Sequence, residues 1–306
     1  MLALGIPLAL LLVMPPLLLG MINKTKAWFA GRHGPPLLQP YRDIGKLLGK
    51  GAVYSETTTW LFRAGPIVSL AAVLCAGLVL PLAANVSPLG FPGDVVLFAA
   101  LLGLGRFFTM AAALDTGSSF EGMGASREAA FSALAEPALF LSMAILCVPA
   151  GSATFADAFG KLPWTAWGFA HPTYLAAALS LFAVLLAENS RIPVDDPNTH
   201  LELTMVHEVM VLDHGGPDLG FILYAGAVKL FVIGALLTHV LLPIPASGGW
   251  RGVALLCGGE LALAALVGVV ESSMARLRLP RVPQFLVGAV VLAVVGLAAL
   301  LYRGAP

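Results

Sequence analysis

The chain has 306 residues, of which 58% are hydrophobic and only 11% charged, with zero formal net charge. A soluble domain carries about 25% charged residues, so most of this surface meets something other than water. The balance of charge points to neither nucleic acid nor an acidic partner. Cys75, Cys147 and Cys257 lie far apart in apolar stretches, with no CxxC and no Cys/His pair at metal-ligand spacing, and read as small buried hydrophobes. Iron–sulphur, haem c and structural zinc sites are therefore not expected in this chain.

Apolar runs near 20 residues recur along the sequence, long enough to cross a hydrocarbon core of about 30 Å. They predict an all-α polytopic membrane protein of about eight transmembrane helices, at 2–22, 64–84, 94–114, 129–149, 171–188, 218–241, 252–272 and 283–302. The segment Met1–Met21 lacks a basic n-region and an A-x-A cleavage site, and so reads as a retained first helix. Pro66, Pro81, Pro149, Pro172, Pro243 and Pro283 fall near span ends, where proline is tolerated. Pro137 falls inside the fourth span, directly after Glu136, and should free backbone groups there.

Twelve basic residues (Lys24, Lys26, Arg32, Arg42, Lys46, Lys50, Arg63, Arg127, Arg191, Arg276, Arg278 and Arg281) fall in one set of loops, against Lys161, Arg251 and Arg303 in the other. The positive-inside rule then makes the 23–63, 115–128, 189–217 and 273–282 loops cytoplasmic and puts both termini outside. No solenoid repeat or low-complexity linker divides the chain, so residues 1–306 read as a single transmembrane helical domain.

A charged side chain at mid-bilayer costs roughly 2.5–3.5 kcal/mol. Yet Arg106, Glu136, Glu188, Lys229, Glu260 and Glu271 all fall in or at the ends of spans. Glu260 and Glu271 are eleven residues apart, about three turns, and so share a helix face. Lys229 and Glu260 both lie near mid-span and are expected to pair. Six such residues point to a buried chain of titratable groups that conducts protons or transmits electrostatic change; ion pairs that only fix helix register are the structural alternative. The 188–218 segment adds seven acids (Glu188, Asp195, Asp196, Glu202, Glu208, Asp213 and Asp218) against one base, Arg191. Crowded carboxylates raise one another's pKa, which suits proton uptake, whereas the bland reading is a solvated acidic loop.

His207-Glu208 suggests a zinc-protease helix, but position 211 is Val where that motif needs His. His200, Glu202, His207 and His214 make a weak metal set, equally well explained as side chains at a partner interface. The glycines between Gly117 and Gly124 follow a helix and not a strand, so no dinucleotide fold is implied. In the first loop, Gly34-Pro35 sets a turn and Tyr41–Lys50 reads as a short basic interfacial helix, suited to lipid headgroups or a docked subunit.

Three blocks carry a family resemblance. Arg32-His-Gly-Pro with Gln39-Pro-Tyr-Arg-Asp-Ile-Gly-Lys, Leu114-Asp-Thr-Gly-Ser-Ser-Phe-Glu-Gly-Met-Gly-Ala-Ser-Arg-Glu, and Glu188-Asn-Ser-Arg-Ile-Pro-Val-Asp-Asp stand at its loops. From about Arg32 to Leu286 the chain resembles the membrane subunit shared by respiratory complex I (its subunit 1) and energy-converting nickel–iron hydrogenases. The Leu114–Glu128 block and the Pro197–Leu212 continuation are closer to the hydrogenase and formate hydrogenlyase branch.

The resemblance implies a membrane anchor without redox groups of its own, in the cell (inner) membrane, that couples electron transfer in a peripheral arm to proton or sodium movement. The implied partners are hydrogenase-like large and small subunits, an iron–sulphur subunit and antiporter-like membrane subunits. Iron–sulphur clusters and any nickel–iron site would be theirs. Glu136, Glu188, Arg191, Asp195 and Glu202 match family positions on the coupling path. Glu208 falls near another family acid, Asp196 shares the acidic block, and Lys229, Glu260 and Glu271 join on burial alone. Arg32, Gln39, Tyr41, Arg42, Asp43, Lys46, Asp115, Glu121, Arg127 and Glu128 are expected to face the peripheral arm. The alternatives are the quinone-site membrane subunit of an NADH–quinone oxidoreductase, a stand-alone cation transporter, and a passive scaffold.

Overall fold

A computed structural model describes residues 2–82, 87–161, 172–196, 205–242, 244 and 249–303. Among these residues ten α-helices follow in order: α1 (Leu2–Phe29), α2 (Gln39–Leu48), α3 (Trp60–Val79), α4 (Asp94–Asp115), α5 (Ser119–Ala150), α6 (Phe155–Gly160), α7 (Pro172–Glu188), α8 (Gly216–Leu241), α9 (Gly249–Ser273) and α10 (Val282–Arg303). Single 3-10 turns at Glu208–Val211 and Leu279–Arg281 precede α8 and α10. No strand occurs among the described residues. Helices satisfy every interior backbone group locally, as an apolar bilayer demands.

Among the described residues seven helices are long and apolar enough to cross a membrane, and α7 is a shorter apolar helix of 17 residues. Together they correspond to the eight expected spans, with three main differences at the ends. The first helix runs on to Phe29, α3 lies at Trp60–Val79 where 64–84 was expected, and α5 starts at Ser119, ten residues before the expected 129. Most of the 115–128 stretch is thus helical, because its polar residues find partners on neighbouring elements and need no loop. The short helix expected at Tyr41–Lys50 is α2, with no buried residue. Pro137 lies inside α5, and Pro7, Pro15 and Pro16 inside α1.

The centre of the bundle is α8. It is apolar over most of its surface, with Val228, Phe231, Val232, Ile233 and Leu236 fully enclosed, as a helix packed on several sides should be. It packs on α1, α3, α7 and α9, while α10 closes against α5 and α7. The α3–α4 pair approaches closely where a Cβ on Gly65 would stand 2.7 Å from that of Ala112, the small-residue contact typical of membrane helices.

Both ends of α4 are tied down. Asp94 accepts the Phe155 N–H at 2.9 Å, joining the start of α4 to α6. Asp115 accepts the Thr59 N–H at 2.6 Å and its hydroxyl at 2.8 Å, joining the end of α4 to the start of α3. Pinned in this way, α4 holds Arg106 at a fixed height in the bundle.

Candidate functional site

Arg106, buried on α4, organises a cluster drawn from four helices. Its Nη1 donates to Glu136 Oε1 at 2.7 Å and its Nη2 to Glu188 Oε1 at 2.6 Å. Glu128 lies 3.8 Å from Nε. Lys229 on α8 approaches the other oxygen of Glu188 at 3.7 Å. The planar guanidinium suits this arrangement, since its rigid fork serves separate acceptors at once. Beside the cluster lies a cavity of about 140 Å³ lined by Arg106, Glu128, Glu188, Arg191, His207 and Lys229. Its lining is mostly apolar but includes these charged groups, and it is roomy enough for several waters.

A second cluster sits where the loops meet that end of the bundle. Asp195, buried, accepts the Val206 N–H at 3.0 Å and the His207 N–H at 3.3 Å through Oδ2. Its Oδ1 accepts the Asp196 N–H at 2.9 Å and pairs with Arg276 at 2.9 Å. One carboxylate thus ties three segments together. Glu271 at the end of α9 pairs with Lys26 at 2.8 Å and with Arg191 at 3.3 Å. His207 adjoins both clusters, and burial, aided by the Lys229 charge, pushes its pKa down to about 4. Burial also lowers His214, which stacks on Phe62 at 3.9 Å, while Asp218 and Asp213 pull it partly back.

The expected Lys229–Glu260 pair does not form. Glu260 instead accepts a hydrogen bond from Thr238 at 3.0 Å and lies against Gly234, so it belongs to a different level of the bundle. Lys229 and Thr238 are nine residues apart on α8, roughly 13 Å along the axis, which is beyond a direct contact. Glu260 and Glu271 do share a buried face of α9, with separate partners.

The residues expected at a peripheral arm divide. Arg32, Arg42, Asp43 and Lys46 are exposed, with Gln39 donating to Asp43 at 2.8 Å within α2. Tyr41 bonds to the Val13 carbonyl of α1, and Arg127 to the Met205 carbonyl at 2.9 Å. Asp115 is occupied at the start of α3. Glu121 is buried and accepts the Asp213 N–H at 3.3 Å, and Glu128 belongs to the Arg106 cluster. These acids face inward because α5 continues through them. Glu208 stands in the 3-10 turn before α8. Glu202 and His200 lie outside the described residues. Among the described residues no group of three or more His, Cys, Asp or Glu is placed to hold a metal.

Sequence reasoning counts Arg106 among the buried charges but names no partner for it, and passes over Lys26, Arg276 and Thr238 as site residues. The role of Arg106 is open to such reasoning, because a lone arginine in a span needs several acids around it. The other three sit at span ends or carry no charge, where sequence offers no comparable signal.

Residues 2–302 match the NADH dehydrogenase family. The chain is 31% identical over 286 residues to formate hydrogenlyase subunit 4 of Escherichia coli (strain K12), covering 90% of each. It is 34% identical over 234 residues to hydrogenase-4 component C of the same organism, covering 76% of this chain and 73% of the other. A chain in the structure of the membrane-bound sulfane sulfur reductase, an archaeal respiratory membrane complex, superposes with a TM-score of 0.84 at 23% identity over 97% of each, which speaks for a common fold. With seven helices long and apolar enough to span and relatives alike over most of their length, this multi-pass membrane protein belongs to the NADH dehydrogenase family.

Proposed function

We propose that the chain is the coupling subunit in the membrane part of an energy-converting redox complex related to formate hydrogenlyase and hydrogenase-4. It would link electron transfer in a peripheral arm to movement of H⁺ or Na⁺. Its partners would be hydrogenase-like large and small subunits and an iron–sulphur subunit on the loop side, with antiporter-like subunits beside it in the membrane; the likeness to subunits of formate hydrogenlyase and hydrogenase-4 supports a multi-subunit complex of this kind. The redox groups belong to those partners. The exposed basic and acidic residues of α2, with Arg32, form the docking surface for the arm.

The observation that carries this reading is the link from loops to bundle. Asp195 holds the Val206 and His207 backbone, His207 and Arg191 line the same cavity as Lys229 and Glu188, and Glu188 meets Arg106 inside the bundle. A shift of the loops under the arm changes the field on Glu188 over a few ångströms. One pKa unit corresponds to about 1.4 kcal/mol, and moving one charge against 100 mV needs about 2.3 kcal/mol. A few coupled protonation changes therefore have the right size.

The test is redox turnover and ion uptake measured together in inverted vesicles. Glu188→Gln or Asp195→Asn should leave electron transfer running while ion uptake falls at least tenfold. Wild-type ion uptake per electron in both variants contradicts the proposal. A parallel fall of both activities together with complex yield favours a scaffold.

A further inference from the structure

Glu136 is the one carboxylate of the Arg106 cluster that does not face inward. Its side chain is 45% exposed, against 3% for Glu188 and 12% for Glu128, and it does not line the cavity. It opens on the outer seam between α4 and α5, where the nearest atom to a Cβ on Gly103 would be its Oε1. The seam is not at a helix end: Arg106, its ion-pair partner, stands twelve residues into the 22-residue α4. A carboxylate half open to hydrocarbon at that height is strongly disfavoured, so such groups face protein or water.

Glu136 also has to share its cation. Arg106, its ion-pair partner among the described residues, is held at the same time by Glu188 at 2.6 Å and stands 3.8 Å from Glu128. The exposed residues of α4 and α5 around this level include Ala100, Leu104, Ala133 and Phe140, a mixed apolar face on which another helix can pack. The outer face of α10 offers a contrast: there Val287, Val291, Val294 and Val295 are exposed without a charge among them, as suits lipid.

We infer that the outer α4–α5 seam is the docking face for a transmembrane helix of a neighbouring membrane subunit, and that this helix presents a lysine ammonium to Glu136. The inference rests on the proposal that the chain works inside a membrane complex, and adds which face meets the neighbour and by what chemistry. A lysine fits because its ammonium pairs with the exposed carboxylate that Arg106 only shares, and its flexible stem reaches that carboxylate from a helix packed at ordinary distance.

The test is photo-crosslinking in native membranes with Glu136 left intact, using Leu104→p-benzoylphenylalanine on α4 and Phe140→p-benzoylphenylalanine on α5. Leu266→p-benzoylphenylalanine on the exposed side of α9 is the control. Both seam probes should join the same transmembrane segment of another subunit, mapped by peptide mass spectrometry, with a lysine within one turn of the adduct. The control should not reach that segment. Replacing that lysine by Met should lower both adduct yields at least fivefold. Adducts with lipid alone, with a second copy of this chain, or with a helix lacking a lysine overturn the inference. The outcome separates from that of the proposed function: if Glu188→Gln uncouples the complex while both probes return lipid, coupling stands and this docking face falls.

Discussion

Arg106 Nη2 meets Glu188 Oε1 at 2.6 Å across 82 residues of sequence, and both side chains are almost wholly buried. Removing one partner of a buried pair leaves the other without a counter-charge, which destabilises by about 3–5 kcal/mol. Arg106→Met should therefore abolish or sharply lower recovery of folded protein, measured by thermal unfolding in detergent. Arg106→Met combined with Glu188→Gln should recover at least about 1 kcal/mol relative to Arg106→Met alone, the coupling expected of contacting residues. Additive losses would show that the contact contributes nothing.

The two buried acids of α9 should respond differently to the same change. Glu260 has a neutral partner, the Thr238 hydroxyl, and Gln preserves an acceptor there at nearly the same volume. Glu271 balances Lys26 and Arg191, and Gln strands both cations at the bundle end. Glu260→Gln should change unfolding stability by no more than about 1 kcal/mol, and Glu271→Gln by distinctly more. Equal losses would remove the distinction drawn between the two levels.

Gly124 on α5 carries the 3-10 turn. A Cβ there would stand 2.3 Å from Val209 Cγ1 and 3.0 Å from the Val206 carbonyl. Overpacking of this kind destabilises by about 1–3 kcal/mol. Gly124→Val should lift residues 205–211 away from α5 and speed their amide hydrogen exchange, with the rest of the bundle unaffected. Unchanged exchange in that segment would contradict the packing described.

His207 gives a pH signature. Its pKa is about 4 in the folded chain against an ordinary 6.5, because burial and the Lys229 charge disfavour imidazolium. Above pH 6.5 both folded and unfolded chains hold it neutral, and its contribution to stability is complete. As pH falls from 6.5 toward 4, only the unfolded chain takes up the proton, so stability is lost, by about 3 kcal/mol at the low end. The stability difference between wild type and His207→Gln should therefore shift against wild type between pH 7 and pH 5 in thermal unfolding. A difference independent of pH would place the imidazole in water.

Much of this protein is legible in one dimension because a bilayer imposes a length and a polarity on each span. The apolar runs of α3, α4, α8, α9 and α10 had to be helices of about their observed length. Arg106, Glu136, Glu188 and Lys229 stand out for the same reason, as charges a membrane would reject unless they were paired. Periodicity also places Glu260 and Glu271 on one face of α9, since eleven residues return a helix nearly to its starting angle.

Which charge meets which is settled only in three dimensions. Lys229 and Glu260 both fall near the middle of their spans in sequence, but the offset between α8 and α9 along the bundle sets their partners, so that Lys229 meets Glu188 and Thr238 meets Glu260. In the same way Glu121 and Glu128 read as loop acids, whereas α5 runs through them and carries them into the interior. Hydropathy reports how much of a span avoids water, a sum over its residues. A charge cluster depends on contacts between residues as far apart as Arg106 and Glu188, and only the packed bundle fixes those.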